Sequence, residues 1–176
     1  GNTVSNLSST RALRDVTNNH NGSYEASAVG EVNVVDKMKA TNAIIGGEGN
    51  GGVIYPEMHY GRDALIGVAL FLTQLAERKI SAKTLRDSYP NYFISKNKIQ
   101  LTPEIDIDAI LATLEEKYKN EQITTIDGLK IDFQEGWVHL RKSNTEPIIR
   151  IYAESEGEEK ANKFANDMIN EIKELI

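Results

Sequence analysis

Ala43-Ile44-Ile45-Gly46-Gly47-Glu48-Gly49-Asn50-Gly51-Gly52-Val53-Ile54-Tyr55 decides how the first half of the chain folds. An apolar run enters a glycine-rich segment and a second apolar run leaves it. Residues 47–52 satisfy G-x-G-x-x-G, the spacing of a dinucleotide fingerprint. That fingerprint works only where a strand runs into a helix, because the pyrophosphate must meet the helix N-terminus. Here Val53-Ile54-Tyr55-Pro56 follows, β-branched and aromatic and closed by proline, so the segment runs into a strand. The dinucleotide reading is therefore rejected. What remains is a glycine-rich loop at the C-terminal end of a short buried strand, where open α/β sheets place ligands. Glu48 and Asn50 are its polar side chains. A carboxylate that accepts two hydrogen bonds suits the vicinal hydroxyls of a sugar, and a flexible hairpin with a solvated glutamate fits the same residues.

Outward from this segment, strand and helix patterns alternate. Residues 3–7 read as a strand, with Ser9 or Thr10 capping a helix that turns Ala12, Leu13 and Val16 inward. Residues 23–29 alternate as a strand, and residues 32–40 form a helix with Val34, Val35 and Met38 on one face. Asp63 caps a helix reaching about Lys79 that is apolar almost all round, which predicts that it is largely buried. Alternation at this spacing predicts a parallel, doubly wound α/β/α domain. Arg11 and His59 are the further residues near this sheet that could meet a ligand. A solvated Arg11 is the simpler expectation, and His59 could fold near the Glu48 loop.

From about residue 81 the pattern changes. A short helix leads through Tyr89-Pro90 into a strand at 93–101. Thr102-Pro103 is expected to open a helix carrying Ile107, Ile110, Leu111, Leu114 and Tyr118 on one face. Asp127-Gly128 and Glu135-Gly136 turn into two further strands, and a last helix carries Ala161, Phe164, Ala165, Met168, Ile172 and Leu175. Trp137 and Tyr152 are expected in the core. His139 alternates with Val138 and Leu140, so it is expected to face solvent where they are buried. Residues 154–160 read as a solvated helix start. This is a small α+β domain, an antiparallel sheet with helices on one face. The two domains are assigned to residues 1–82 and 83–176.

The connection 141–147, Arg141-Lys142-Ser143-Asn144-Thr145-Glu146-Pro147, offers two cations, two hydroxyls and a carboxamide within one turn. A phosphate dianion needs such donors, above all a guanidinium fork with hydroxyl and main-chain N–H groups. An ordinary hairpin turn, for which Ser, Asn and Thr are good local formers, fits the same residues.

The 176-residue chain carries a net charge of −6 with a pI near 5.2, which argues against a nucleic-acid partner. It has no cysteine, so disulfides and thiolate chemistry are excluded. No signal peptide or membrane span is expected, and the protein reads as cytoplasmic. No two histidines have metal-ligand spacing. Asp106-Ile107-Asp108 opens a helix and reads as a cap and dipole partner rather than a metal site.

Taken together, the two loops resemble those of the α-D-phosphohexomutases. The likeness covers essentially the whole chain, as that family's third and fourth domains. Residues 47–52 look most like phosphoglucomutase/phosphomannomutase and phosphoglucosamine mutase sequences. Gly128-Leu129-Lys130-Ile131 and Gly136-Trp137-Val138, leading into residues 141–147, are similar to the fourth domain. The resemblance implies that Glu48 and Asn50 hold sugar hydroxyls and that Arg141, Ser143, Asn144 and Thr145 bind the non-reacting phosphate. It implies a parent enzyme, of the isomerase class, that interconverts hexose 1-phosphate and hexose 6-phosphate through a hexose 1,6-bisphosphate. It places the phosphoserine and the Mg2+ in first and second domains upstream on the same chain, so this fragment is expected to be inactive alone. The opening strand likewise suggests a cut inside a longer chain. Many relatives have Ser and His at the positions of Asn50 and Gly52, and some phosphomannomutases have His at that of Glu31. The sugar preference is accordingly open, with phosphoglucosamine mutase as the alternative. A non-catalytic sugar-phosphate-binding module is the rival from another class.

Overall fold

A computed structural model describes every residue of the chain except Pro103 and Asn144. The chain divides into two compact units, Gly1–Asn91 and Tyr92–Ile176.

The first unit runs β1 (Thr3–Asn6), α1 (Ala12–Asn19), β2 (Tyr24–Ser27), α2 (Glu31–Thr41), β3 (Ile45–Glu48), β4 (Gly52–Tyr55), β5 (His59–Arg62), α3 (Ala64–Arg78) and α4 (Ala82–Asp87). Its sheet has the order β2-β1-β3-β4-β5. β1 pairs in parallel with both β2 and β3, while β4 and β5 add an antiparallel hairpin at the β3 edge. The crossovers β1-α1-β2 and β2-α2-β3 step in opposite directions, and right-handed connection then puts α1 and α2 on opposite faces. This is the expected α/β unit, with its parallel strands in the order β2-β1-β3. Val34, Val35 and Met38 of α2 pack with Val4, Ala43 and Ile54 as its core. β3 begins at Ile45 and carries the chain through Gly46 and Gly47 to Glu48, so the glutamate ends a strand instead of lying in the loop.

Three expectations for this unit are corrected. The α1 N-cap is Arg11 without a side-chain bond, while Thr10 Oγ1 accepts from Ala12 N at 3.2 Å and Ser9 is engaged elsewhere. Arg11 is buried rather than solvated. Helix α3 is capped by Asp63, which accepts from Leu65 N and Ile66 N, yet none of its residues is buried. Leu65 is 82% exposed, Leu72 56%, Val68 53% and Phe71 45%. The helix approaches β4 through Gly67, where an added Cβ would stand 3.0 Å from Val53 Cγ2. An all-round apolar helix needs cover on several sides, and among the described residues it has cover on one.

The second unit runs β6 (Tyr92–Gln100), α5 (Ile107–Lys117), β7 (Gln122–Thr124), β8 (Leu129–Asp132), β9 (Gly136–Lys142), β10 (Ile148–Glu156) and α6 (Glu158–Glu174). The sheet is antiparallel throughout in the order β6-β10-β9-β8-β7. Alternate residues Leu129, Ile131, Val138, Leu140, Ile149 and Ile151 pack against Ile107, Ile110 and Leu114 of α5 and Ala165, Met168 and Ile172 of α6. Both helices therefore lie on one face, as the pattern implied. Helix α5 opens at Asp106, whose side chain accepts from Ala109 N, rather than at Thr102-Pro103, of which Pro103 lies outside the described residues.

The opposite face of this sheet corrects two readings. His139 is buried along with Val138 and Leu140, so the strand is covered on both sides. Glu154 is the seventh residue of β10 rather than a solvated helix start, and it is fully buried. Trp137 Nε1 donates to its Oε1 at 2.7 Å, which supplies the partner a buried carboxylate requires. Lys130 Nζ stands 4.6 Å from the Trp137 ring centroid on the same face.

Candidate functional site

In the first unit the ends of three elements converge on Glu48. Its side chain is only 7% exposed. Oε1 accepts from Asn6 Nδ2 at 2.8 Å and from Gly30 N at 3.2 Å. Asn6 ends β1, and Gly30 is the N-cap residue of α2, so the carboxylate sits where the helix presents unpaired N–H groups and its positive end. Asn6 Oδ1 in turn accepts from Ser8 N at 3.1 Å and Ser9 Oγ at 2.8 Å, and Ser9 Oγ accepts from Gly49 N at 2.9 Å. The strand ends and the glycine loop are thereby tied into one network.

Arg62, which ends β5, closes the other side. Its Nη1 lies 3.6 Å from Glu48 Oε2. Its Nε donates to Glu31 Oε2 at 2.9 Å and its backbone N–H to Glu31 Oε1 at 3.0 Å. That backbone donor, joined by the guanidinium, holds the Glu31 carboxyl below the usual carboxylate range. The Arg62 stem crosses Gly52 so closely that a Cβ there would stand 2.5 Å from Arg62 Cδ. Asn50 acts locally, its Oδ1 accepting from Gly52 N at 3.1 Å at the exposed tip of the loop. His59 pairs with Asp63 at 3.2 Å, and His20 Nδ1 donates to Val16 O at 2.9 Å.

In the second unit Arg141 lies near the end of β9, and its Nε meets both oxygens of Asp127, at 3.0 Å and 2.9 Å. Asp127 sits in the turn between β7 and β8, and its carbonyl accepts from His139 Nε2 at 2.7 Å. Burial, joined by Lys130 and Arg141, drives the His139 pKa down to about 4, so the ring is neutral with its proton on Nε2. Gly128 makes the turn possible: its φ is +78°, and a Cβ would stand 2.2 Å from Leu140 O. Among the described residues the two terminal amino groups of Arg141 take no partner.

The adjoining loop is shaped by Ser143. Its hydroxyl accepts from Glu146 N at 3.3 Å and Thr145 N at 3.4 Å, and its own N–H donates to Ile148 O at 3.0 Å. Thr145 is exposed, with its hydroxyl 3.4 Å from that of Ser143. Asn144 lies outside the described residues. Lys142 is exposed and stands 4.0 Å from Asp108, a separation at which a solvated pair contributes little. An oriented guanidinium beside two hydroxyls is a donor set for a phosphate or other oxyanion.

Sequence reasoning found Glu48 and Arg141 but not the residues that orient them. Asn6, Gly30, Glu31 and Arg62 meet Glu48 only through the sheet order, and Asp127 meets Arg141 only through the β8-β9 pairing. The signals present were a polar residue at a strand end, a glycine before a helix and the Asp-Gly turn. Among the described residues no three His, Asp or Glu side chains are grouped as a metal site, and no helix is long and apolar enough to cross a membrane.

Residues 1–92 match the family described as phosphoglucomutase/phosphomannomutase, alpha/beta/alpha domain III, and residues 98–171 match its C-terminal domain. The phosphoglucosamine/phosphogalactosamine mutase of Sulfurisphaera tokodaii is 35% identical over 175 residues, covering 98% of this chain and 38% of that protein. The phosphoglucomutase/phosphomannomutase of Thermococcus kodakarensis is also 35% identical over 175 residues, with the same two shares. The chain thus spans well under half the length of these relatives. The crystal structure of a phosphoglucomutase/phosphomannomutase family protein from Burkholderia thailandensis superposes with a TM-score of 0.77 at 24% identity, covering 98% of this chain and 37% of that one. At that identity the superposition speaks for the fold alone.

Proposed function

Since the chain belongs to the phosphoglucomutase/phosphomannomutase family, we propose that it is the sugar-orienting and phosphate-anchoring part of a longer phosphohexomutase. The parent interconverts hexose 1-phosphate and hexose 6-phosphate through a hexose 1,6-bisphosphate. Glu48 accepts from ring hydroxyls through Oε2, the oxygen that Arg62 only approaches, while Asn50 shapes or contacts the sugar from the loop tip. Arg141, Ser143, Asn144 and Thr145 hold the phosphate that is not being transferred. Mg2+ and the phosphoryl-carrying serine belong to domains upstream on the same parent chain, and the 176-residue chain is inactive by itself. Its contribution is positioning and electrostatics.

The observation that carries this reading is Arg141. Asp127 fixes the guanidinium through Nε, and its terminal amino groups remain for an anion beside the Ser143 hydroxyl. The bare face of α3 supports upstream domains as partners, because a helix this apolar needs further cover. The test is mutase turnover by the longer natural protein on glucose, mannose and glucosamine 1-phosphates, with and without Arg141→Ala. Turnover that the substitution depresses on every active substrate is expected. Turnover unaffected by the substitution would remove the phosphate role.

Phosphoglucosamine mutase is the second reading, favoured by two observations. The relative from Sulfurisphaera tokodaii is a phosphoglucosamine/phosphogalactosamine mutase. Glu31 and Glu48 also place two carboxylates around the single Arg62, an excess of negative charge that suits an ammonium substituent.

A further inference from the structure

The face of the second sheet that turns away from α5 and α6 carries a row of cations. Lys98 of β6 is the register partner of Arg150 of β10, and Arg150 is the register partner of Arg141 of β9. Lys96 stands two residues along from Lys98, opposite Tyr152. Its Nζ lies 5.5 Å from the Tyr152 ring centroid, so the side chain leans across toward β10. Lys96, Lys98, Arg150 and Tyr152 line an open cavity of about 510 Å3, with Glu146 and Ile148 at its loop end. Neither Arg141 nor Ser143 lines it.

Like charges directly opposite one another on a sheet repel. Arg141 is compensated by Asp127. Among the described residues neither Lys98 nor Arg150 pairs with a carboxylate, although the chain holds 26 acidic residues against 20 lysines and arginines. Lysines on an exposed edge strand guard against edge-to-edge pairing, which accounts for Lys96 and Lys98 on β6. It does not account for Arg150, which lies one strand in from the edge. Three uncompensated cations converge on one cavity whose volume suits a small molecule.

We propose that the Lys96–Lys98–Arg150 cavity is a second anion-binding site, separate from the Arg141 loop, that takes a small molecule bearing a diphosphate group. Residues two apart on a strand are about 7 Å apart, and a single phosphate cannot bridge both lysines at contact distance. Two linked phosphate groups reach Lys96 and Lys98 together while Arg150 forks onto the oxygens between them. Tyr152 supplies a hydroxyl donor or a ring face for the remainder of the ligand. The site does not depend on the mutase reading, because neither sugar nor turnover enters the argument.

Inorganic pyrophosphate is the probe, titrated into the 176-residue chain at constant ionic strength and followed by amide NMR. It is expected to move the resonances of residues 96–98 and 150–152, and to do so equally in Arg141→Ala. Lys96→Gln with Lys98→Gln should weaken these shifts about tenfold or more, as removal of two contact charges implies, while inorganic phosphate still shifts Ser143 and Thr145. Shifts confined to residues 143–145 and lost in Arg141→Ala would show that the cavity is not a site. Equal response to pyrophosphate in the double lysine variant would show the same. Citrate at matched ionic strength is expected to bind weakly, and citrate shifts as large as those of pyrophosphate would overturn the assignment to a diphosphate.

Discussion

Asp127 holds Arg141 by one nitrogen only. Both carboxylate oxygens sit within 3.0 Å of Nε, and the far edge of the guanidinium is left to face an anion. The carboxylate orients the arginine and competes with any incoming phosphate for its charge. Asp127→Asn separates the two effects, since the amide oxygen still accepts from Nε while the negative charge is gone. Phosphate affinity of the loop, measured by titration of this chain, is expected to rise several-fold in Asp127→Asn. In Asp127→Ala the acceptor is lost as well, and affinity should fall below that of the Asn variant. Ala binding as tightly as Asn would mean that orientation contributes nothing.

The same turn gives the second unit a pH dependence. His139 has its pKa lowered from 6.5 to about 4, so the fold favours the neutral ring. A group whose folded pKa is depressed contributes stability that is fully present above its unfolded value. That stability is lost as pH falls from 6.5 toward 4, up to roughly 3 kcal/mol at the bottom of the window. His139→Gln keeps a donor for the Asp127 carbonyl without titrating. Urea melts read by the single tryptophan, Trp137, should show a steeper loss for the native chain than for the variant between pH 6.5 and 4. Parallel pH profiles would count against a buried neutral His139.

Glu154 depends on the indole of Trp137, 17 residues away. Trp137→Phe keeps most of the ring but withdraws the donor from a fully buried carboxylate, which should cost about 1–3 kcal/mol beyond the packing loss. Glu154→Gln retains an acceptor oxygen for Nε1 and removes the charge, so its cost should be smaller. Thermal melts followed by far-UV circular dichroism rank the two. A larger loss for Glu154→Gln would mean that the charge itself stabilises the unit.

These residues show what the sequence made legible and what it hid. Periodicity located the core of α2, α5 and α6 because one face of each is buried against its own unit. It misread Glu154, where a run of charges looked like a helix start and the compensating donor lies on another strand. It missed β5, whose residues 59–62 are mostly exposed and polar, and β7, which is only 3 residues long. It found both glycine-loop and phosphate-loop residues by chemical type, but Asp127, Asn6 and Arg62 become neighbours only through strand pairing. It read α3 as buried because an apolar helix demands cover, and that cover is absent among the described residues.

Helix α3 therefore behaves differently in different company. Leu65 and Leu72, 82% and 56% exposed here, are expected to tolerate Leu65→Lys and Leu72→Glu in this chain with little change in melting temperature. The double variant should also self-associate less, as light scattering would show, because it breaks an exposed apolar patch. In the longer natural protein the same pair should lower the melting temperature. An unchanged melt there would remove α3 as a contact with upstream domains.

The two loops should fail in different ways in the longer enzyme. Arg141 grips a phosphate shared by every hexose substrate. Arg141→Ala should lower kcat/KM by a similar factor for all of them, about 2–4 kcal/mol if a desolvated charge-assisted pair is lost. The bisphosphate must also be held while it reorients, so the variant should depend more on added bisphosphate. Glu48→Gln acts on the ring instead, and the geometry fixes how. Asn6 Nδ2 and Gly30 N both donate to Oε1, so the amide must turn its oxygen toward them. Its NH2 group then replaces Oε2 on the side of Arg62, where an acceptor has become a donor. Hydroxyls that differ in stereochemistry between glucose, mannose and glucosamine meet that change differently, so the ratio of kcat/KM values should shift. Steady-state kinetics on the three 1-phosphates decides between the roles. A changed sugar ratio in Arg141→Ala, with uniform scaling in Glu48→Gln, would reverse them.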